Sequence, residues 1–289
     1  MATTFKNFAL VGGGGALGKP VLERLLAAGA AKVVVFTRPE STSTFAPNPS
    51  LSVEKVNLGD IDALAAALQK HSIEVLVSVV GHAALEGQPM LIDAAKKSGV
   101  QLFVPSEFGF PTEGITDEGF LAVKARVADY AKSQGLPSLR IYNGFFADYA
   151  FFLGSVEEKG KFLMVEPGDK EFTLTAVADI SGFVAHVLIN FPQTKLKDAT
   201  FRIEGDRMTL RDLASLCNTV KSIPVEIVDA VPKDVALAEG KQYLIAHFNS
   251  RKGIVSWDNS QQKDLGTSAI SNGLWAGHTW KSVKDVLEQ

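Results

Sequence analysis

One cysteine, Cys217, is all the thiol chemistry this chain of 289 residues has. A lone thiol closes no intrachain disulfide, and metal sites built on thiolate pairs are excluded with it. Its neighbours Leu213, Leu216 and Val220 fall at helical spacing, the pattern of a buried thiol on a helix, which disfavours a redox role. A charge excess is also missing. With 29 Lys and Arg against 32 Asp and Glu, the net charge of −3 gives no electrostatic footprint for nucleic acid or a membrane surface. The five histidines, 71, 82, 186, 247 and 278, never stand at H-x-x-x-H spacing, and no metal site is expected. Long apolar runs are scarce. The longest, 174–191, is interrupted by Asp179 and His186 and reads as a core helix, not a membrane span. The first residues show no charged region followed by an apolar one, so a cytoplasmic protein is expected.

What is present is ample core material: 46% of the residues are hydrophobic, enough for one large domain or two modest ones. The first half alternates. Strands are predicted at 8–11, 32–36, 51–57, 75–80, 101–105 and 138–142, with helices at 20–28, 60–69, 89–98 and 120–134. The run Lys-Val-Val-Val-Phe at 32–36 is continuous and β-branched, as suits a parallel strand covered on both faces. Residues 39–50 are polar and proline-rich and read as an exposed loop. Strands recurring with intervening helices require right-handed crossovers, hence a doubly wound parallel sheet.

Beyond residue 143 the alternation is lost. A dense aromatic cluster at 145–152, most of it expected in the core, precedes short strands at 162–165, 171–174, 201–204 and 225–228. Helices are expected at 178–190, 209–220 and 232–248. The fold class is therefore α/β, a Rossmann-type doubly wound parallel sheet with a smaller α+β substrate-binding domain. The expected domains are 1–150 and 151–289, with an interleaved boundary because the 178–190 helix can pack back on the sheet. The tail 274–280, Leu-Trp-Ala-Gly-His-Thr-Trp, either lines a pocket or docks the C-terminus, and docking is the simpler reading.

The feature most informative about chemistry is the string Val11-Gly12-Gly13-Gly14-Gly15-Ala16-Leu17-Gly18, set between the first strand and the first helix. Gly12, Gly15 and Gly18 give a G-x-x-G-x-x-G spacing. Without Cβ atoms, such a turn brings backbone N–H groups against a pyrophosphate at the positive end of a helix. Gly13, Ala16 and Leu17 belong to the same cradle. The second strand ends in Phe36-Thr37-Arg38, with Arg38 placed 20 residues after Gly18. NAD-preferring units carry an acid about there to hold the ribose hydroxyls, whereas a guanidinium grips a 2′-phosphate. NADPH is the expected cofactor, with Thr37 and Ser41 as further hydroxyl donors. Ser78, Val79, Val80 and Gly81 end the fourth strand, and Ser106 and Phe108 follow the fifth; ligands of open α/β sheets cross these carboxyl ends. His82, next to Gly81, is read as an exposed loop histidine, with contact to cofactor or substrate the alternative.

Lys124 is the candidate catalytic residue and a further cofactor contact. Short-chain dehydrogenases place a tyrosine four residues before such a lysine; here that position is Phe120, so a tyrosine proton donor is missing. The string Phe103-Val104-Pro105-Ser106-Glu107-Phe108-Gly109, with the glycine turn and Lys124, resembles the isoflavone reductase-like, NmrA-type branch of atypical short-chain dehydrogenases, which includes phenylcoumaran benzylic ether reductases. The resemblance covers roughly the first 150 residues and 173–188. It implies that Arg38 binds the NADPH 2′-phosphate and that Lys124 is the general base. Lys124 would remove a phenolic proton, opening a quinone-methide-like species that takes hydride at the benzylic carbon. Substrate contacts are expected from Phe108, Asn143, Phe145, Phe146 and Tyr149. The loop 110–119 and the C-terminal region match no substrate pattern. The expected partner is a small molecule, and the expected state a monomer or homodimer. The rival expectation is an NmrA-like redox sensor that binds NADP(H) without turnover; such proteins generally lack the lysine. A sugar-nucleotide epimerase is disfavoured by Phe120.

Overall fold

The computed structural model describes residues 3–115 and 119–289. The chain forms two units. The first holds Met1–Phe108, Gly114–Ile141 and Ser181–Phe201; the second holds Gly109–Glu113, Tyr142–Ile180 and Arg202–Gln289. Compared with a single cut at residue 150, three segments change place: 109–113 and 142–150 belong to the second unit, and 181–201, with most of the helix Val177–Asn190, to the first.

In the first unit the strands β1 (Asn7–Val11), β2 (Lys32–Thr37), β3 (Leu51–Lys55), β4 (Val75–Ser78) and β5 (Leu102–Val104) form one sheet in the order β3-β2-β1-β4-β5. All four pairings are parallel; Val11 stands opposite Phe36 on one side and Ser78 on the other. A bridge from Phe103 to Ser138 leads on to β6 (Leu139–Tyr142). The intervening helices are α1 (Gly18–Ala27), α2 (Ile61–Lys70), α3 (Gln88–Ser98) and α4 (Phe120–Ser133). Their ends follow local chemistry. Asp60 accepts from the Ala63 N–H at 3.0 Å and caps α2, while α3 has Pro89 in its first turn and ends at Gly99 with φ +81°. Alternation along the strands sends Ala9, Val11, Val34 and Phe36 into a core with Leu64, Leu68, Ile92 and Phe103. Sheet order reverses between β2-β1 and β4-β5, so the chain leaves β1 and β4 in opposite directions and a crevice opens at their carboxyl ends.

The second unit is built on short strands. Glu171–Thr175 lies between Asp206–Thr209, antiparallel to it, and Phe145–Phe146, parallel to it; Val225–Val228 pairs in parallel with Phe162–Val165. Its core gathers Phe162, Met164, Leu174, Leu213 and Phe248, with Phe172 stacked on Phe248 at 4.2 Å. The helix Leu210–Lys221 opens with a Thr209/Asp212 capping box and buries Cys217, whose thiol burial pushes up to about 11. We expect Cys217 to ignore Ellman's reagent in the native protein at pH 8 and to react only on unfolding; prompt native reaction would contradict this packing. The tail docks: the His278 ring stacks on Trp275 at 3.6 Å, and its Nε2 meets the buried Asp179 carboxylate at 3.0 Å.

Three expectations change. The helix predicted over 232–248 forms only as Ala238–His247, because Leu237 takes φ +55° and interrupts it. The strand expected at 201–204 forms as Ala199–Arg202, alongside β6. The aromatic cluster is not sealed in the core. Phe146, Tyr149 and Phe152 recur every third residue and form a partly exposed ladder, with ring centroids 5.9 and 6.3 Å apart. Ala147, Ala150 and Leu153 take the inward face instead. Among the described residues no helix is long and apolar enough to cross a membrane, and no cluster of His, Cys, Asp and Glu could hold a metal ion.

Candidate functional site

The crevice of the first unit is a cleft of about 520 Å³. It is lined by Gly12–Gly15 after β1, by Phe36, Thr37 and Arg38 at the end of β2, by Ser41, Ser43 and Leu58, and by residues 79–84 after β4. The turn is tight: the Gly15 N–H donates to the Gly12 carbonyl at 3.0 Å, and the Val79 N–H ties the second loop to Val11 O at 2.9 Å. Gly12 has φ +87°, and a Cβ there would meet the Val79 carbonyl oxygen at 2.5 Å. A Cβ at Gly14 would strike Ser43, so the 39–50 loop leans over the turn. The first turn of α1 holds no acidic residue and no side-chain cap; the Lys19 N–H donates to the Gly15 carbonyl at 3.0 Å and Pro20 has none, so what the turn offers a ligand is chiefly the positive end of the helix dipole. Among the described residues, the lining carries one arginine and no carboxylate. A glycine cradle that Cβ atoms would fill, an uncapped helix start and a guanidinium at the next strand end fit a dinucleotide with a 2′-phosphate.

Gly12→Ala is expected to destabilise the protein by about 2–5 kcal/mol, from backbone strain and overlap together. It should also abolish dinucleotide binding, read by thermal melts with and without NADPH. An unchanged melting temperature with intact binding would contradict the turn described.

Of the expected cofactor contacts, Gly12, Gly13, Gly15, Thr37, Arg38, Val79, Val80 and Gly81 line the cleft. Ala16 is exposed beside it, whereas Leu17, Gly18 and Ser78 are buried beneath. The sequence reading omitted Gly14, Ser43, Leu58 and Ala83–Ala84, whose part depends on how the loops fold over. His82 lines the cleft and packs its ring against Phe120 at 5.3 Å. Arg38 is exposed and loosely paired with Glu40 at 3.4 Å, a contact that a phosphate can displace.

Lys124 sits one turn into α4 and reaches back to the loop after β5, where its ammonium donates to the Glu107 carbonyl. The Phe120 ring lies 5.9 Å from Nζ. Burial pulls the Lys124 amine below the usual lysine range, and the Glu107 carboxylate pulls it partly back. The loop itself is held firmly: Ser106 N–H donates to Gln88 at 2.9 Å and Ser106 Oγ to the Val80 carbonyl at 2.8 Å. Phe108 takes φ +26°, a conformation a bulky residue adopts only where its surroundings impose it. The Glu107 carboxylate, 1% exposed, is gripped by Arg140 at 2.9 and 3.0 Å. Nothing in the spacing of residues 107 and 140 could have announced that pair.

The remaining expected contacts lie in the second unit. Asn143 is fully buried, its Nδ2 donating to Gly144 O at 2.9 Å, and its Oδ1 finds no partner among the described residues. Phe145 is partly buried and packs on Phe248 at 6.0 Å. Phe146 and Tyr149 stand on the aromatic ladder.

A Rossmann-type sheet with such a cleft defines a nucleotide-binding α/β protein. Its family is then fixed by sequence: the NmrA-like family model matches residues 4–249, and the chain belongs to that family. It is 26% identical to phenylcoumaran benzylic ether reductase 1 of Arabidopsis thaliana over 74% of both chains. It is 27% identical to an isoflavone reductase homologue of Solanum tuberosum over 71% of both. The structure of leucoanthocyanidin reductase with NADPH from Vitis vinifera has the same fold, with a TM-score of 0.78 at 18% identity over 97% of this chain and 98% of that one. The resemblance read from the sequence is borne out.

Proposed function

We propose that this chain is an NADPH-dependent reductase of a small aromatic or phenolic substrate, of the benzylic ether, enone or quinone type, with Lys124 as general acid and base. The observation that carries this reading is the Lys124 amine itself: desolvated, held by one carbonyl, and in the same unit as the glycine cradle. The named reductases among its relatives support it. Gly12, Gly13 and Gly15 would hold the pyrophosphate, Thr37 and Arg38 the 2′-phosphate, and the loops after β4 and β5 the remainder. When bound, NADPH supplies a hydride. The chain's own work is proton handling. A neutral Lys124 amine accepts a proton from a phenolic oxygen, and the resulting ammonium returns it or delivers it to a developing oxyanion. Its lowered proton affinity keeps more of the neutral base at a given pH than a solvated lysine would have. Phe146 and Tyr149 offer partly exposed ring faces for an aromatic substrate, whereas Asn143 is too deeply buried to touch one and is assigned to bracing the chain at Gly144.

The test is NADPH oxidation by the purified protein against a panel of benzylic ethers, enones, quinones and aromatic carbonyls. Turnover on one class supports the reading. Tight NADPH binding with no turnover on any of them would instead favour the sensor.

A further inference from the structure

Beneath Lys124 lies an ion pair that the proposed chemistry does not use. Glu107 offers two groups, each held by a different cation. Its carbonyl accepts from the Lys124 ammonium, and its carboxylate, 1% exposed, is bonded by the Arg140 guanidinium through both Nε and a terminal nitrogen. We propose that Arg140 is a positioning residue for Lys124: by occupying the Glu107 carboxylate it keeps that charge from locking the lysine as an ammonium. This rests on the reading of Lys124 as the base.

The argument is one of competing cations. A carboxylate buried this deeply requires a positive partner. Arg140 bonds it directly, Lys124 feels its charge through space, and only the lysine can shed its own charge, because a guanidinium stays protonated at any working pH. With Arg140 in place the carboxylate is satisfied, and Lys124 is left with a neutral carbonyl acceptor and an aromatic face. Without Arg140, the carboxylate's charge would act on the lysine without that guanidinium to offset it, and proton loss from the ammonium would be opposed more strongly. Other charged and ring groups among the described residues are engaged elsewhere. Arg126 pairs with Glu86 at 3.3 Å, exposed and screened by solvent; Tyr130 donates to Asp93 on α3 at 2.7 Å; and His82 packs against Phe120 at 5.3 Å.

The test needs neither cofactor nor substrate. In full-length protein labelled with ¹³C-lysine, the Lys124 ε-methylene resonance is assigned by its loss in Lys124→Met and followed as pH rises. Arg140→Met is expected to move its titration midpoint up by about one pH unit or more, and Glu107→Gln to move it down. In the Glu107→Gln background, the Arg140→Met effect should be much smaller, which is the coupling expected of one charge network. Arg140→Lys, which keeps a cation on the carboxylate, should stay near wild type. A midpoint that Arg140→Met leaves in place, or lowers, overturns the proposal even if the variant is less stable. Should Arg140→Met fail to fold, an unmoved or raised midpoint in Glu107→Gln overturns it equally. If the titrations behave as stated while Lys124→Met retains full turnover, the base assignment falls and the ion pair's hold on the amine stands.

Discussion

Lys124→Met is expected to lower kcat/KM for NADPH-dependent reduction by about 10²- to 10⁴-fold, the range typical of a lost general base, with NADPH affinity changed by no more than a few-fold. The same substitution should make the protein more stable at neutral pH. Burial lowers the proton affinity of the folded-state amine from its ordinary value, so the native state holds its ammonium at a disadvantage relative to the unfolded chain. Below the folded-state midpoint both states are protonated and this penalty is fully present. As pH rises from that midpoint to the unfolded value, the unfolded state binds more protons and stability increases. The melting-temperature advantage of Lys124→Met should therefore be fully present below the folded-state midpoint and shrink as pH rises from there towards 10.5. A loss of turnover accompanied by a loss of stability and of cofactor binding would show that Lys124 is a structural residue.

The second large effect concerns cofactor choice. Arg38→Ala should weaken NADPH binding by about 10- to 100-fold, the scale of charge-assisted hydrogen bonds to a phosphate, and leave NADH binding unchanged. Arg38→Glu should go further and favour NADH, because a carboxylate repels the 2′-phosphate and accepts from ribose hydroxyls. The resting contact with Glu40 opposes little of this: both side chains are well over half exposed, where an ion pair contributes about 0–1 kcal/mol. Titrations of both cofactors at one fixed ionic strength check the ratio. If Arg38→Ala weakens NADPH and NADH equally, the guanidinium does not read the 2′-phosphate.

The fold of the first unit and its glycine turn were legible because they are local. A run such as Val33–Val35, Asp60 ahead of α2, and Gly12 before a helix each act on neighbours a few residues away, where the physics of strand burial, capping and positive φ suffices. Lys124 and Arg38 could be singled out for the same reason, by their spacing from a strand end or within one helix. Tertiary structure decided what distance along the chain conceals. The 39–50 loop reads as plain exposed coil, yet Ser43 comes to rest on Gly14. The aromatics at 145–152 read as core, but a helical turn divides them into an inward alanine and leucine face and an outward ladder. Glu107 and Arg140, 33 residues apart, meet only because β5 and β6 are neighbours. The sequence alone determined which cofactor chemistry this protein is built for, since a turn and a strand end are short-range objects. The state of the lysine was set by burial and by a charge pair, both of which exist only once the strands are side by side.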